Sequence, residues 1–228
     1  MNINSISISL KGKNRSENQD FAVSHVREDG AELWLIADGA TKAKKSGEFV
    51  KTLCEKLSET WLNTRPFLTV DDIPNILSQV HDKIKKDYIC SKGCLLIFAN
   101  GREPNNQRCF YLGDCRLGIL EKTDTENKIK WLTYPHSLIY SLEGRNEEKL
   151  CLDSDRHILN YILKGKRFEP PEELQISISS ETPFILASDG FWSNYPAFLP
   201  LDLTKESIEN FLQSLTPQDD CTVLIHSS

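Results

Sequence analysis

Two stretches of this chain end an apolar run in the same dipeptide. Leu33-Trp34-Leu35-Ile36-Ala37 runs into Asp38-Gly39, and Phe184-Ile185-Leu186-Ala187 runs through Ser188 into Asp189-Gly190. Runs of this length and composition read as buried strands. A carboxylate at the end of such a strand is costly unless something binds it. The glycine lets the backbone turn sharply and bring its carbonyl close to whatever the acid holds. Taken singly, Asp-Gly is also a common turn dipeptide. The repetition is what constrains the fold.

Cys109-Phe110-Tyr111-Leu112 ends in Gly113-Asp114, another apolar run closed by an acid. In two mirror cases the acid comes first: Asp20 precedes 21–26, and Asp219-Asp220 precede 221–225. In an antiparallel sheet the end of one strand lies beside the start of its neighbour. Strand 21–26 turns through Arg27-Glu28-Asp29-Gly30 into strand 31–37, so Asp20 and Asp38 belong at one open end of a hairpin. The other acids join that edge if their strands pair in the same sense. Five carboxylates on one edge repel each other unless cations sit between them. Hard oxygen ligands without histidine or cysteine partners point to Mg²⁺ or Mn²⁺.

The rest of the chain alternates strands with a few helices. Residues 3–10 alternate as a half-exposed strand. A helix is expected from Ser46 to about Leu62, with Phe49, Val50, Leu53, Cys54, Leu57 and Trp61 on its apolar stripe. A second is expected over 72–88, with Pro74 in its first turn. Strands follow at 94–99 and 108–112, with a hairpin at 117–121 and 128–133. Residues 134–153 read as irregular, and 155–164 as a short helix ended by Gly165. Strands at 175–179 and 184–187 lead to a helix capped by Thr204 and a last strand at 222–226. The class is α+β with antiparallel sheets, in a single domain spanning 1–228.

Composition excludes some functions. A formal net charge of −6 argues against a general nucleic-acid binder and an acidic membrane surface. No apolar run is long enough to span a bilayer. Seven cysteines, scattered and without a C-x-x-C pair, argue against zinc and thioredoxin-type sites. They suit a reducing cytoplasm, and the first residues show no signal peptide.

The order of these motifs resembles that of the bacterial type 2C, or PPM, serine/threonine protein phosphatases. Arg15-Ser16-Glu17-Asn18-Gln19-Asp20 is similar to that family's R-x-x-N-[EQ]-D opening, and 35–39 to its first Asp-Gly motif. Gly47-Glu48 resembles the start of its first long helix. Tyr111-Leu112-Gly113-Asp114-Cys115-Arg116 resembles V-G-D-S-R, and Pro135-His136-Ser137-Leu138 resembles D-H-S-L. Ala187-Ser188-Asp189-Gly190-Phe191-Trp192 resembles C-S-D-G-L-W, and 219–223 resembles the closing D-[ND]-x-[ST]-V.

The resemblance implies a four-layer αββα sandwich of two antiparallel sheets flanked by helices. It implies a monomeric, cytoplasmic signalling enzyme that hydrolyses phosphoserine and phosphothreonine on protein substrates, working against a cognate serine/threonine kinase. The nucleophile is a water bridging two Mn²⁺ or Mg²⁺ ions, with a third ion also accommodated. Carried over by position, Asp38 bridges two ions and the Gly39 carbonyl binds one. Asp189 and Asp219 hold the other, Asp20 binds through water, and Asp114 with Asp189 is placed for a third. Arg15 grips the phosphate, a task suited to a planar fork of donors.

Some positions depart from the pattern. Asp38-Gly39 continues into the basic loop Ala40–Lys45 instead of further glycines, and Gly93-Cys94-Leu95 replaces a G-T-T-like strand opening. No histidine follows Asp38, which leaves water or His136 as the proton donor to the leaving group. Lys42, Lys44 and Lys45 read as a solvated face, Trp192 as core, and His25, His81, His157 and His226 as surface or packing residues. Asp220 reads as a companion of Asp219 and not as a further ligand. The alternative function is a pseudophosphatase, a phosphoprotein-binding regulatory module without turnover. The complete set of acids favours the enzyme.

Overall fold

The computed structural model describes residues 5–103, 106–143, 151, 153–193 and 197–227. Ile3 and Asn4 of the first predicted strand, and 144–150 and 152 of the charged segment, lie outside the described residues. The strands in chain order are β1 (Ser5–Leu10), β2 (Asp20–Val26), β3 (Glu32–Gly39), β4 (Lys92–Asn100), β5 (Gln107–Leu112) and β6 (Arg116–Lys122). They continue with β7 (Asn127–Trp131), β8 (Leu163–Lys164), β9 (Glu172–Ile176), β10 (Phe184–Ala187), β11 (Phe198–Leu199) and β12 (Cys221–His226). The helices are α1 (Ser46–Asn63), α2 (Ile73–Ile84), α3 (Leu138–Glu143), α4 (Asp189–Trp192) and α5 (Lys205–Ser214).

Among the described residues the strands form two sheets, and every pairing is antiparallel. One runs β1-β12-β10-β6-β7-β11, and the other β2-β3-β4-β5-β9 with β8 added beside β4. Successive side chains of a strand point to opposite faces. On β3, Leu33, Leu35 and Ala37 pack with the α1 and α2 residues Leu53, Trp61 and Leu77. Trp34 and Ile36 face the other way, into a shared core with Phe184, Leu186 and Leu224 of the opposite sheet. Ile185, Val223 and Ile225 look outward onto Ile208 and Leu212 of α5. Two antiparallel sheets are thus stacked between helices, as expected.

The same alternation decides where the acids go. Asp38 shares the parity of Trp34 and Ile36, so it continues the face that meets the second sheet. Asp20 shares the parity of Ala22, which packs against that inter-sheet core. The apolar residues beneath fix the register, because a one-residue slip would turn every side chain over.

Helix α1 buries the stripe read from its sequence: Phe49, Val50, Leu53, Cys54, Leu57 and Trp61 are all at most 1% exposed. Each large side chain so buried stabilises the fold by about 1.5–3 kcal/mol. Helix α2 is shorter than predicted. It is preceded by a 3₁₀ turn at Val70–Asp72, closed by reciprocal Thr69–Asp72 capping bonds, and ends at Ile84. Thr204 caps α5 by accepting from the Ser207 N–H at 3.3 Å.

The predicted helix over 155–164 is not formed. Asp153 accepts from the Asp155 N–H and starts a single 3₁₀ turn, Ser154–His157, after which Ile158 is extended. Leu163 and Lys164 then pair with Gly93 and Lys92. Strand β5 covers β4 only from Leu95 onward, which leaves the first two residues of β4 for β8. Strand pairing outcompetes the local helical pattern. Gly165 is therefore not a helix end: a Cβ there would overlap the Tyr88 carbonyl oxygen. The strand predicted at 175–179 is β9, three residues earlier, and α3 forms within the stretch read as irregular.

Gly165→Ala is expected to destabilise the protein by about 1–3 kcal/mol, the usual range for overpacking. At this chain length that lowers the melting temperature by roughly 2–4 °C per kcal/mol, readable by thermal unfolding. A wild-type melting temperature in the variant contradicts the close approach to Tyr88.

Candidate active site

The acids come from five separate segments and meet at one edge between the sheets. In the β2–β3 ladder Asp20 lies directly opposite Asp38, as the hairpin reading requires. On its other side, Asp38 lies opposite Cys94 and Gly39 opposite Gly93 of β4. Leu112, the last residue of β5, pairs with Leu95, so Gly113-Asp114 turns away at the same edge. In the opposite sheet, Ala187 pairs with Val223, which brings Ser188-Asp189 beside Asp220-Cys221.

One hydroxyl ties the two sheets together there. Ser188 Oγ donates to Asp20 Oδ2 at 2.7 Å and accepts from the Thr222 N–H at 3.0 Å. Reading the sequence missed Ser188. Its signal is a hydroxyl residue directly before the acid that ends an apolar strand.

Arg15 is held by the same edge. Its Nε donates to Asp219 Oδ1 at 2.5 Å, and Nη2 pairs with the same oxygen. Asp220 is only 3% exposed and accepts from the backbone N–H groups of Gly12 and Gln19 at 2.9 and 2.8 Å. Both of its oxygens are engaged in fastening the loop that carries Arg15, consistent with its reading as a non-ligand. Arg15 and Asp219 line an open pocket with Asn14, Gln218, Arg156 and His157. His157 Nδ1 lies 3.7 Å from Asp189 Oδ2, so this histidine, read as peripheral, borders the acids.

His136 is braced on both nitrogens. Gly113 N–H donates to Nδ1 at 3.0 Å, and Nε2 lies 2.9 Å from Glu172 Oε2. The ring also stacks on Tyr111, centroids 4.7 Å apart. Accepting at Nδ1 fixes the Nε2–H tautomer, whose proton goes to Glu172. His136 therefore orients the Gly113-Asp114 turn. Trp192 is buried, as expected of a core residue, and its Nε1–H donates to the Asp114 carbonyl at 2.7 Å, holding the turn from the other side. Lys42, Lys44 and Lys45 are exposed, as a solvated face should be.

The electrostatics are those of crowded acids. Burial pushes the Asp20 carboxyl up to about 7, against hydrogen bonds from Ser188 and Thr222, and Asp189 and Asp220 push the same way. Burial and then Asp189 hold Asp114 at about 7 as well. Asp38 lies well above the usual carboxylate range through burial, Asp20, Asp189 and Asp114. One oxygen each of Asp20 and Asp114 is buried without a hydrogen-bond partner. Buried carboxylate oxygens left unpaired fit a site made for hard divalent cations. The all-oxygen expectation is modified by one residue. Cys94 Sγ and carboxylate oxygens of Asp38 and Asp114 lie within 4.8 Å of one another.

No family model matches the sequence, and no curated protein matches it. Solved structures do. The chain superposes on the PPM Ser-Thr phosphatase MsPP from Mycobacterium smegmatis, solved in complex with cacodylate, with a TM-score of 0.77. That match covers 98% of this chain and 97% of the other at 18% identity. The Streptococcus agalactiae serine/threonine phosphatase gives 0.78, covering 100% of both chains at 16% identity. Stp1 from Staphylococcus aureus gives 0.81, covering 100% of this chain and 96% of the other at 13% identity. This chain has the PPM phosphatase fold. In this chain the edge just described lies where the two central sheets meet. No helix among the described residues is long and apolar enough to cross a membrane.

The crowding predicts a pH dependence. Unfolded, these carboxyls ionise near the ordinary value of 3.8, whereas folded Asp20 and Asp114 keep their protons to about 7. The folded state therefore binds more protons in between. Its stability from this source is complete below about pH 4, falls as pH rises towards 7, and is lost above that. Chelator-treated protein is expected to melt lower at pH 8 than at pH 5.5, and Mg²⁺ or Mn²⁺ to raise the melting temperature more at pH 8. Equal metal-induced shifts at the two pH values contradict the crowding.

Proposed function

We propose that this chain hydrolyses phosphoserine and phosphothreonine on protein substrates, with two Mn²⁺ or Mg²⁺ ions, and room for a third, at the acidic edge. The observation that carries the reading is the convergence of Asp20, Asp38, Asp114, Asp189 and Asp219 on one opening of a PPM fold, with Arg15 fastened beside them. In this reading Asp38, the Gly39 carbonyl, Asp189 and Asp219 hold the catalytic pair, Asp20 acts through water, and Asp114 with Asp189 takes the third ion. When bound, such cations supply Lewis acidity, acidifying water and offsetting the charge of the phosphate. A cytoplasmic monomer opposing a serine/threonine kinase, in one domain over 1–228, belongs to the same proposal.

The chain's own residues do the rest. Arg15 presents a planar donor fork to the phosphate oxygens. The Asp220 anchor holds its loop, so the guanidinium is positioned before substrate arrives. Ser188 holds Asp20 in place across the two sheets. His136 has both nitrogens committed, so of the two candidate proton donors water is the one that remains. Asp20, Asp38, Asp114, Asp189 and Asp219 all lie at the opening, which supports turnover over the pseudophosphatase alternative.

The test is hydrolysis of a phosphothreonine peptide by the full chain with Mn²⁺, abolished by EDTA. Activity that survives thorough chelation overturns the mechanism. Asp38→Asn and Asp219→Asn are each expected to lower kcat by more than about 100-fold, beyond what loss of an outer partner of a metal ligand costs. Both should keep cooperative unfolding, because removing one of several like charges relieves repulsion. Near wild-type kcat at saturating metal removes that residue from the ligand set.

A further inference from the structure

Cys94 stands where the pattern resembled in the sequence has a hydroxyl residue, and the structure gives it a position among acids. It lies on β4 directly opposite Asp38, and it is 5% exposed. Its side chain shares the parity of Leu96 and Phe98, so it points to the inter-sheet face, as Asp38 does. Gly113, with φ of +95°, passes so close that a Cβ there would overlap the Cys94 sulfur. That close approach seats the sulfur under the Gly113-Asp114 turn. The three ligand atoms, one thiol sulfur and two carboxylate oxygens, lie within 4.8 Å of one another. Asp114 is 5% exposed, and although its carboxyl accepts from the Cys94 thiol, its Oδ1 is buried with no hydrogen bond and is free for a cation.

We propose that Asp38, Cys94 and Asp114 form a mixed oxygen–sulfur site that takes a thiophilic divalent cation such as Zn²⁺ or Cd²⁺, in competition with the hard cations of the acidic edge. Sulfur ligands select soft or borderline metals, whereas carboxylates alone suit Mg²⁺ and Mn²⁺. Ligands about 2.0–2.3 Å from a tetrahedral zinc stand roughly 3.3–3.8 Å apart. The group, spread over at most 4.8 Å, has to close by no more than about 1.5 Å to reach that spacing. On binding, the sulfur lone pair goes to the cation and the thiol proton leaves to solvent, with no electron transferred. Two carboxylates and one thiolate over-balance a dication, and a solvent molecule completes four ligands. Because Asp38 is shared, a soft cation here withdraws it from the pair proposed for catalysis. That consequence rests on the phosphatase reading, but the binding itself does not.

The experiment reads binding and not turnover. Full-length protein in a Cys90→Ser background, which removes the exposed thiol, is stripped with chelator, kept reduced and titrated with Cd²⁺. The expected result is a near-ultraviolet thiolate-to-metal charge-transfer band that saturates at one ion per chain. Cys94→Ser should abolish it, and Cys115→Ser, a buried thiol outside the group, should keep it. Saturating Mn²⁺ should weaken apparent Cd²⁺ affinity by at least about tenfold, since the two share Asp38. No band in the starting protein, a band that survives Cys94→Ser, or indifference to Mn²⁺ overturns the proposal. Should Cys94→Ser fail to fold, Asp114→Asn decides: Cd²⁺ affinity weakened at least about tenfold supports the site, and unchanged affinity overturns it. A chain that shows the band yet has no phosphatase activity overturns the functional reading alone.

Discussion

Antiparallel pairing sets Asp20 against Asp38, and the rest of the site depends on that register. The pairing is determined not by the acids but by the residues behind them. Trp34 and Ile36 must face the second sheet, while Leu33, Leu35 and Ala37 must face α1 and α2. A strand buried on both faces has one register that satisfies both cores. With Trp34 and Ile36 inward, Asp38 is carried to the same side at the strand end, whatever its own preference. Burial of apolar surface, worth tens of kcal/mol across these cores, thus imposes a local arrangement that like-charge repulsion opposes.

That opposition explains the scaffolding around the edge. Asp20 is held by Ser188, Asp220 by two backbone N–H groups, Asp219 by Arg15, and the Asp114 turn by His136 and Trp192. Each contact lies at a strand end, where ladder hydrogen bonds stop and the backbone is freest to splay. Functional sites commonly carry such local cost against the stability of the whole fold.

Strand ends and helix stripes were legible in the sequence because they are local and periodic. The stripe of α1, the 20–38 hairpin and the five acids could be named from spacing alone. The fold class followed from the antiparallel reading, and its layering from the resemblance. What the sequence hid was contact across long separations. Residues 155–164 look helical, but β4 leaves Lys92 and Gly93 for Lys164 and Leu163 to pair with, and those two lie far earlier in the chain. Ser188 reaches Asp20 across 168 positions. Cys94 stands out only as a departure from the resembled strand opening, because nothing near it in the sequence announces Asp38 or Asp114. His136 was assigned a candidate role by its neighbours in sequence, and its partners Gly113 and Glu172 gave it another.

The contact between Arg15 and Asp219 carries a thermodynamic consequence under the proposed reading. One carboxylate oxygen serves the guanidinium, and the same carboxylate is a proposed cation ligand. An anion that draws Arg15 towards itself leaves Asp219 freer for a cation, and a cation on Asp219 leaves Arg15 freer for an anion. Linkage requires the two effects to be equal in size. Phosphate and metal are then heterotropic ligands of one ion pair, each raising the affinity of the other by a common factor. The chain need not change shape for this to hold, since the coupling resides in a single side chain that exchanges partners.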